Sequence, residues 1–148
     1  MQKKAWEDFN VGEKFITPSV TVTETHIVNF GCLTGDWYPL HFNEEYAKKT
    51  IFKGRIVHGP LTFSLAIGLM FQSGIFGDSI AASLGIDKMR ALKPVKAGDT
   101  IRVEAEVIGK KETSKPERGV VLMVYNVKNQ RDETVFTFEY TILMHRRK

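Results

Sequence analysis

"GPLTFSLAIGLMFQSGIFG", residues Gly59–Gly77, contains no charged side chain. A stretch this apolar either crosses a membrane or lies inside a folded core. A spanning helix needs about 20 consecutive apolar residues. Here Thr62, Ser64, Gln72 and Ser73 break the run, as do Gly68 and Gly74. The pattern therefore predicts a helix buried in a soluble fold, apolar on all sides, from Leu61 to about Gln72. Pro60 suits its first position, where the missing N–H would have had no helical partner.

The segments beyond the helix supply its cover. Ile80–Met89, Thr100–Ile108, Val120–Asn129 and Thr134–Met144 read as strands. In the second of these, Ile101, Val103, Ala105 and Val107 alternate with Arg102, Glu104 and Glu106, so one face is buried and the other wet. Lys110–Gly119 reads as a charged loop with Pro116 and Gln130–Glu133 as a polar turn, a spacing that favours antiparallel pairing. A lone apolar helix followed by a long antiparallel sheet should be wrapped by that sheet, and the class is α+β. Upstream, β-branched residues over Phe15–Thr23 predict a first strand. Thr23 then caps a helix to about Leu33, with Ile27, Phe30 and Leu33 on one face, and Gly35 stops it. Asn43 caps a short helix from Glu44 to about Lys49, with Glu44 and Glu45 in its first turn.

The length of 148 residues suits one domain, residues 1–148, around one core. With 43% hydrophobic and 26% charged residues, the composition is that of a soluble globular protein. The formal net charge is +4, yet the basic residues are dispersed apart from a short tail at His145–Lys148. Without zinc-finger spacing, a basic helix or a stacking motif, no nucleic-acid partner is expected. A mildly positive surface suits an anionic small molecule instead. Cys32 is the only cysteine, so an intramolecular disulfide is impossible. The start, Met1–Asp8, has no apolar core of a signal peptide. A reducing, cytoplasmic setting away from membranes is the expectation.

Two short motifs carry chemistry. "GDWYPLH", Gly35–His41, places Asp36 and His41 five residues apart around Pro39. Gly-Asp and Tyr-Pro are turn dipeptides, so the plain reading is a surface turn. The alternative is a proton-handling pair. Pro39 stiffens itself and Tyr38, the flanking Trp37, Tyr38, Leu40 and Phe42 desolvate the segment, and a histidine beside a carboxylate shares acid and base duties near neutral pH. "VHGPLT", Val57–Thr62, is on the plain reading a helix start with Gly59 present for backbone freedom. On the functional reading, the Gly59 N–H at the helix N-terminus stabilises a developing oxyanion. His58 beside it reads as structural.

Together these segments resemble a family. F-x-x-L-T-G-D-x-x-P-L-H (Phe30–His41) followed by I-V-H-G (Ile56–Gly59) is similar to the MaoC-like dehydratases, which include R-specific enoyl-CoA hydratases. W-E-D-F-x-V-G (Trp6–Gly12) and K-P-V-K-A-G-D-T (Lys93–Thr100) extend the resemblance over nearly the whole chain. It implies a hotdog fold, a long central helix wrapped by an antiparallel sheet, working as a homodimer or larger homo-oligomer. It implies Asp36 and His41 as the catalytic pair and the Gly59 amide as oxyanion donor. The substrate would be an acyl-CoA thioester, with coenzyme A present only as part of it and no metal or other cofactor. The reaction would be hydration of a trans-2-enoyl thioester, or the reverse, on the R side of the acyl chain. One position departs from the family pattern: Tyr38 stands where the motif has asparagine. The aromatic, Pro39-stiffened loop favours inward packing of Tyr38, where it would bind substrate and shorten the acyl pocket.

Two rivals belong to other classes. Several hotdog thioesterases place a carboxylate on the central helix, and Leu61–Gln72 has none. A non-catalytic acyl-thioester binding module would be marked by a broken Asp/His pair, and here the pair is intact.

Overall fold

The computed structural model describes residues 4–147. The first residues of the N-terminal stretch, Met1–Lys3, and Lys148 of the basic tail lie outside them. A 3₁₀ turn at Trp6–Asp8 precedes β1 (Lys14–Ile16), β2 (Val20–Thr21), α1 (Glu24–Thr34), α2 (Pro39–Phe42), α3 (Glu44–Ala47) and α4 (Gly59–Gln72). Four long strands follow: β3 (Ile80–Ala91), β4 (Thr100–Glu112), β5 (Arg118–Lys128) and β6 (Thr134–His145). They form an antiparallel sheet in the order β1-β4-β5-β6-β3, with β2 also paired to β4.

Alternation along the strands builds the core. On β4, Ile101, Val103, Ala105 and Val107 are buried, as the sequence pattern requires. Register sets Ala105 opposite Tyr125 and Tyr125 opposite Phe138, with Val103, Val127 and Phe136 forming the next row. These cross-strand apolar pairs are the unit of sheet stability. One face of α4 lies on them through Leu61, Thr62, Ala66, Leu69 and Met70. The long helix against an antiparallel sheet is the hotdog fold.

Four expectations need correction. The first strand is two short ones, because Pro18 falls between them and has no N–H to give the ladder. Leu33 is 84% exposed, and α1 turns Ile27 and Gly31 inward instead, with Phe30 partly covered. The charged loop is shorter than expected, since Lys110, Lys111 and Glu112 continue β4 opposite Val121, Val120 and Gly119. Charged side chains do not prevent main-chain pairing. Finally, α4 is apolar on all sides but is not buried on all sides: Phe71 is 49% exposed and Phe63, Leu65 and Ile67 are only partly covered. One sheet face covers one side of a helix. Among the described residues, no helix is long and apolar enough to cross a membrane.

The two ends of the chain close over the β4–β5 side. Trp6 Nε1 donates to Val120 O at 3.0 Å, and Lys110 Nζ and the Arg146 guanidinium lie 4.0 and 4.7 Å from the centre of its ring system. Arg146 pairs with Glu7 and Glu112, and Arg147 with Asp8, so the arginines of the basic tail are spent on the N-terminal turn and β4.

The indole sits so near Gly119 that a Cβ there would stand 2.5 Å from Trp6 Cγ. These are atoms near the base of the side chain, which cannot swing aside cheaply. Gly119→Ala should therefore cost about 1–3 kcal/mol, the usual range for overpacking. A thermal melt should show a Tm several degrees lower, with the loss shrinking in a Trp6→Leu background. An unchanged Tm would show that the indole does not hold this position.

Candidate active site

Gly35 ends α1 in the left-handed region, with φ of 77°, and its N–H returns to Gly31 O. This turns the chain so that Asp36 follows immediately. The Asp36 N–H donates to Thr34 Oγ1, and Asp36 Oδ1 accepts from the Tyr38 N–H at 3.2 Å, an Asx-type turn made by the aspartate itself. Pro39 then opens a single helical turn, Pro39–Phe42, on which His41 sits. The segment expected to be a loop is thus partly helical, because proline is favoured at a first helical position. Asn43 caps α3 through its side chain, accepting from the Tyr46 N–H.

His41 Nδ1 lies 2.8 Å from Ile56 O. A carbonyl can only accept, so Nδ1 carries the proton and Nε2 is left as the nitrogen that can take or give one. His58 stands behind His41, fully buried, with ring centroids 3.9 Å apart. Its Nε2 donates to Asp36 O at 3.0 Å. Phe30 and Phe42 enclose it, with centroids at 4.9 and 5.5 Å. Burial pushes the His58 imidazole below the ordinary histidine range, against the bond to Asp36 O. One ligand-type atom from each of Asp36, His41 and His58 lies within 4.8 Å of the others. Among the described residues, this spacing also marks the group able to hold a metal ion.

The second segment is tied down independently. Ile56 N donates to Leu40 O, and Val57 N to Val95 O at 2.7 Å. Arg55 bridges Glu24 and Glu44, joining the starts of α1 and α3. The Arg55 guanidinium in turn holds the Glu44 carboxyl below the usual carboxylate range. Gly59 opens α4 and borders an open cavity of about 180 Å³ with Phe52, Ile56, Thr62, Pro94 and Phe136. Neither backbone freedom nor crowding demands glycine here: its φ is not positive, and a Cβ would meet only Phe136 at 3.8 Å. Its N–H, in the first turn, has no intrahelical partner and lies beside that cavity.

Asp36 and His41 are thus brought together, with Gly59 a short way along the same second segment. Tyr38 is not turned inward. It is 54% exposed, and its hydroxyl pairs with that of Tyr46 at 3.0 Å. Its ring stands 6.4 Å from that of His41, edge-on. The groups that sequence reasoning undervalued are His58 and Gly31. A glycine inside a helical pattern is the available signal for the latter.

A Cβ on Gly31 would stand 2.8 Å from the tip of Phe42 and 3.1 Å from Trp37. Gly31→Ala gains up to about 1 kcal/mol of helix propensity and loses a similar amount to overpacking. Stability is therefore a poor readout. Displacement of Phe42 should instead shift the imidazole proton resonances of His58 and His41 by NMR. Unmoved resonances would mean that Phe42 does not set their packing.

A family model described as a MaoC like domain matches residues 8–129. Protein MaoC of Klebsiella aerogenes is 38% identical over 116 residues, 78% of this chain and 33% of that protein. The chain therefore spans about a third of that relative's length. The (R)-specific enoyl-CoA hydratase of Rhodospirillum rubrum is 34% identical over 107 residues, 70% of this chain and 69% of that one. Among solved structures, a monoamine oxidase regulatory protein from Archaeoglobus fulgidus has a TM-score of 0.92 at 40% identity, covering 98% of this chain and 96% of that one. The family pattern runs from the end of the 3₁₀ turn through β5, and with it this chain belongs to the MaoC-like dehydratases.

Proposed function

We propose that the chain adds water to trans-2-enoyl-CoA thioesters, and removes it from the (R)-3-hydroxyacyl products, as a lyase. The observation that carries this reading is the Asp36–His41 pair, with His41 Nδ1 committed to Ile56 O and Nε2 left for proton transfer. One water would lie between the two side chains. Asp36 takes a proton from it as the oxygen bonds to the β-carbon. The C=C electrons move toward the thioester oxygen, where the Gly59 N–H meets the developing charge. His41 delivers a proton to the α-carbon and is recharged from Asp36 through the next water. Every atom of water ends in the product, so no metal or redox cofactor is required. The (R)-hydratase relative supports the substrate class and the stereochemistry. The exposed thiol of Cys32 suits a reducing cytoplasm.

The working unit on this reading is a homodimer. Among the described residues β3 pairs only with β6, so its other edge is open, and Leu84 and Met89 are exposed on it. Beside it Phe63 and Ile67 of α4 line a hollow of about 250 Å³ with Ile86 and Tyr140. An open edge next to an apolar hollow asks for cover.

Asp36→Asn and His41→Ala should each lower turnover of the best enoyl-CoA by roughly 10²-fold or more. Both should stay folded, since neither side chain belongs to the core. The assay is loss of the conjugated-thioester absorbance of crotonyl-CoA and of longer enoyl-CoAs, with chiral analysis of the product. Wild-type activity in either variant, a predominantly S product, or release of free thiol in place of hydration would each overturn the assignment. Light scattering on the purified chain should give twice the monomer mass. A monomer with full activity would remove the dimer from the reading.

A further inference from the structure

The reading above uses Asp36, His41 and Gly59 and leaves one titratable group beside them unexplained. His58 is 0% exposed, yet its Nδ1 has no hydrogen-bond partner. A buried imidazole with an idle nitrogen is costly, and an apolar side chain of similar volume would avoid that cost. What it makes is specific. Nε2 reaches the main-chain carbonyl of Asp36, not its carboxylate. Its ring face lies 3.9 Å from that of His41, at 31°. One side chain thus touches both halves of the proposed catalytic pair without standing between them.

The protonation state follows from the contacts. Asp36 O is an acceptor, so Nε2 carries a proton. A second proton on Nδ1 would place a cation inside the ring cage of Phe30 and Phe42, with no acceptor, and against the face of His41 when that ring is itself charged. The titratable groups facing His58 are Asp36, from the turn after α1, and His41, from α2; from α4, Thr62 donates its hydroxyl to His58 O. Burial dominates and disfavours the charged form.

We propose that His58 is a positioning residue: as a neutral Nε2–H imidazole it holds the Asp36 main chain and provides the flat surface on which the His41 ring is seated. It rests on the Asp36–His41 reading above. Orientation errors of about 1 Å cost up to about 10²-fold in rate, so fixing both partners from one side chain has a kinetic value that packing alone lacks. The arrangement also keeps the proton inventory simple. His58 stays uncharged while His41 alternates between imidazole and imidazolium, so His41 is not opposed by a second cation.

The test uses the full chain. His58→Phe keeps a ring and loses the donor, and His58→Gln keeps a donor where Nε2 stood. On crotonyl-CoA, His58→Phe should lower kcat by about 10-fold or more with little change in KM, and His58→Gln should recover part of the loss. A folded His58→Phe with wild-type kcat would overturn the proposal while Asp36→Asn and His41→Ala remained inactive. If those two variants keep their activity, the catalytic reading itself fails and there is no pair for His58 to position. Nitrogen-15 NMR of the wild-type imidazoles gives an answer even if His58→Phe does not fold. His58, whose charged form burial disfavours, should be a neutral Nε2–H tautomer at neutral pH. A protonated His58 at neutral pH, or an Nδ1–H tautomer, would overturn the proposal.

Discussion

Two hydrogen bonds cross between the same two segments, and the geometry of the site depends on them. His41 of the first segment donates to the Ile56 carbonyl of the second, and His58 of the second donates to the Asp36 carbonyl of the first. Each segment lends an imidazole to the other's backbone. The exchange satisfies carbonyls that a turn leaves unpaired, and it fixes the tautomer of both rings. It also stacks them, because the two side chains must pass each other to reach their acceptors. A carbonyl acceptor does not titrate, so the lock is insensitive to pH on the acceptor side. That suits the proposed Asp36–His41 pair, which on the reading above changes protonation in every cycle.

The rest of the fold holds those two segments at the right separation. The first is suspended between the end of α1, closed by Gly35, and the cap of α3, made by Asn43. The second is pinned to Val95 by main chain and runs directly into α4, whose buried face is seated on the sheet. Arg55 joins the two sides through Glu24 and Glu44. Its side chain is 30% exposed and those of the glutamates 51% and 44%, so the bridge adds little stability. Its use is alignment. The dense apolar rows of β4, β5 and β6 supply the rigidity, and the polar segments above them carry the candidate site.

Much of this is legible in the sequence, and the reasons differ by element. The strands could be read because period-two alternation at Ile101–Val107 reflects a one-sided sheet directly. The caps at Thr23, Gly35 and Asn43 could be read because each meets a local backbone requirement. What could not be read depends on partners distant in sequence. Leu33 fits the helical spacing as well as Gly31 does, and only the approach of Phe42 and Trp37 selects the glycine face. The division of the first strand at Pro18 depends on β4 as partner, and the continuation of β4 through Lys110–Glu112 depends on β5. His58 could be flagged from its place beside Gly59, but its role exists only where the two segments meet.

Tyr38 shows how a motif can change one residue and keep its turn. The family asparagine sits where a side chain could brace the segment, yet here the brace is Asp36, whose Oδ1 accepts the Tyr38 N–H. Backbone supplies that donor, so it survives any side chain except proline at the position. The tyrosine is then free to reach outward, and its hydroxyl meets Tyr46 on α3. The two hydroxyls and the edge-on packing of their rings, with centroids 6.1 Å apart, join α3 to the turn that carries Asp36. The volume expected inside the pocket lies outside it. Asp36 thus holds the turn with one carboxylate oxygen, and on the proposed reading the other takes the water, a division of labour that a single aspartate can sustain because its two oxygens point apart.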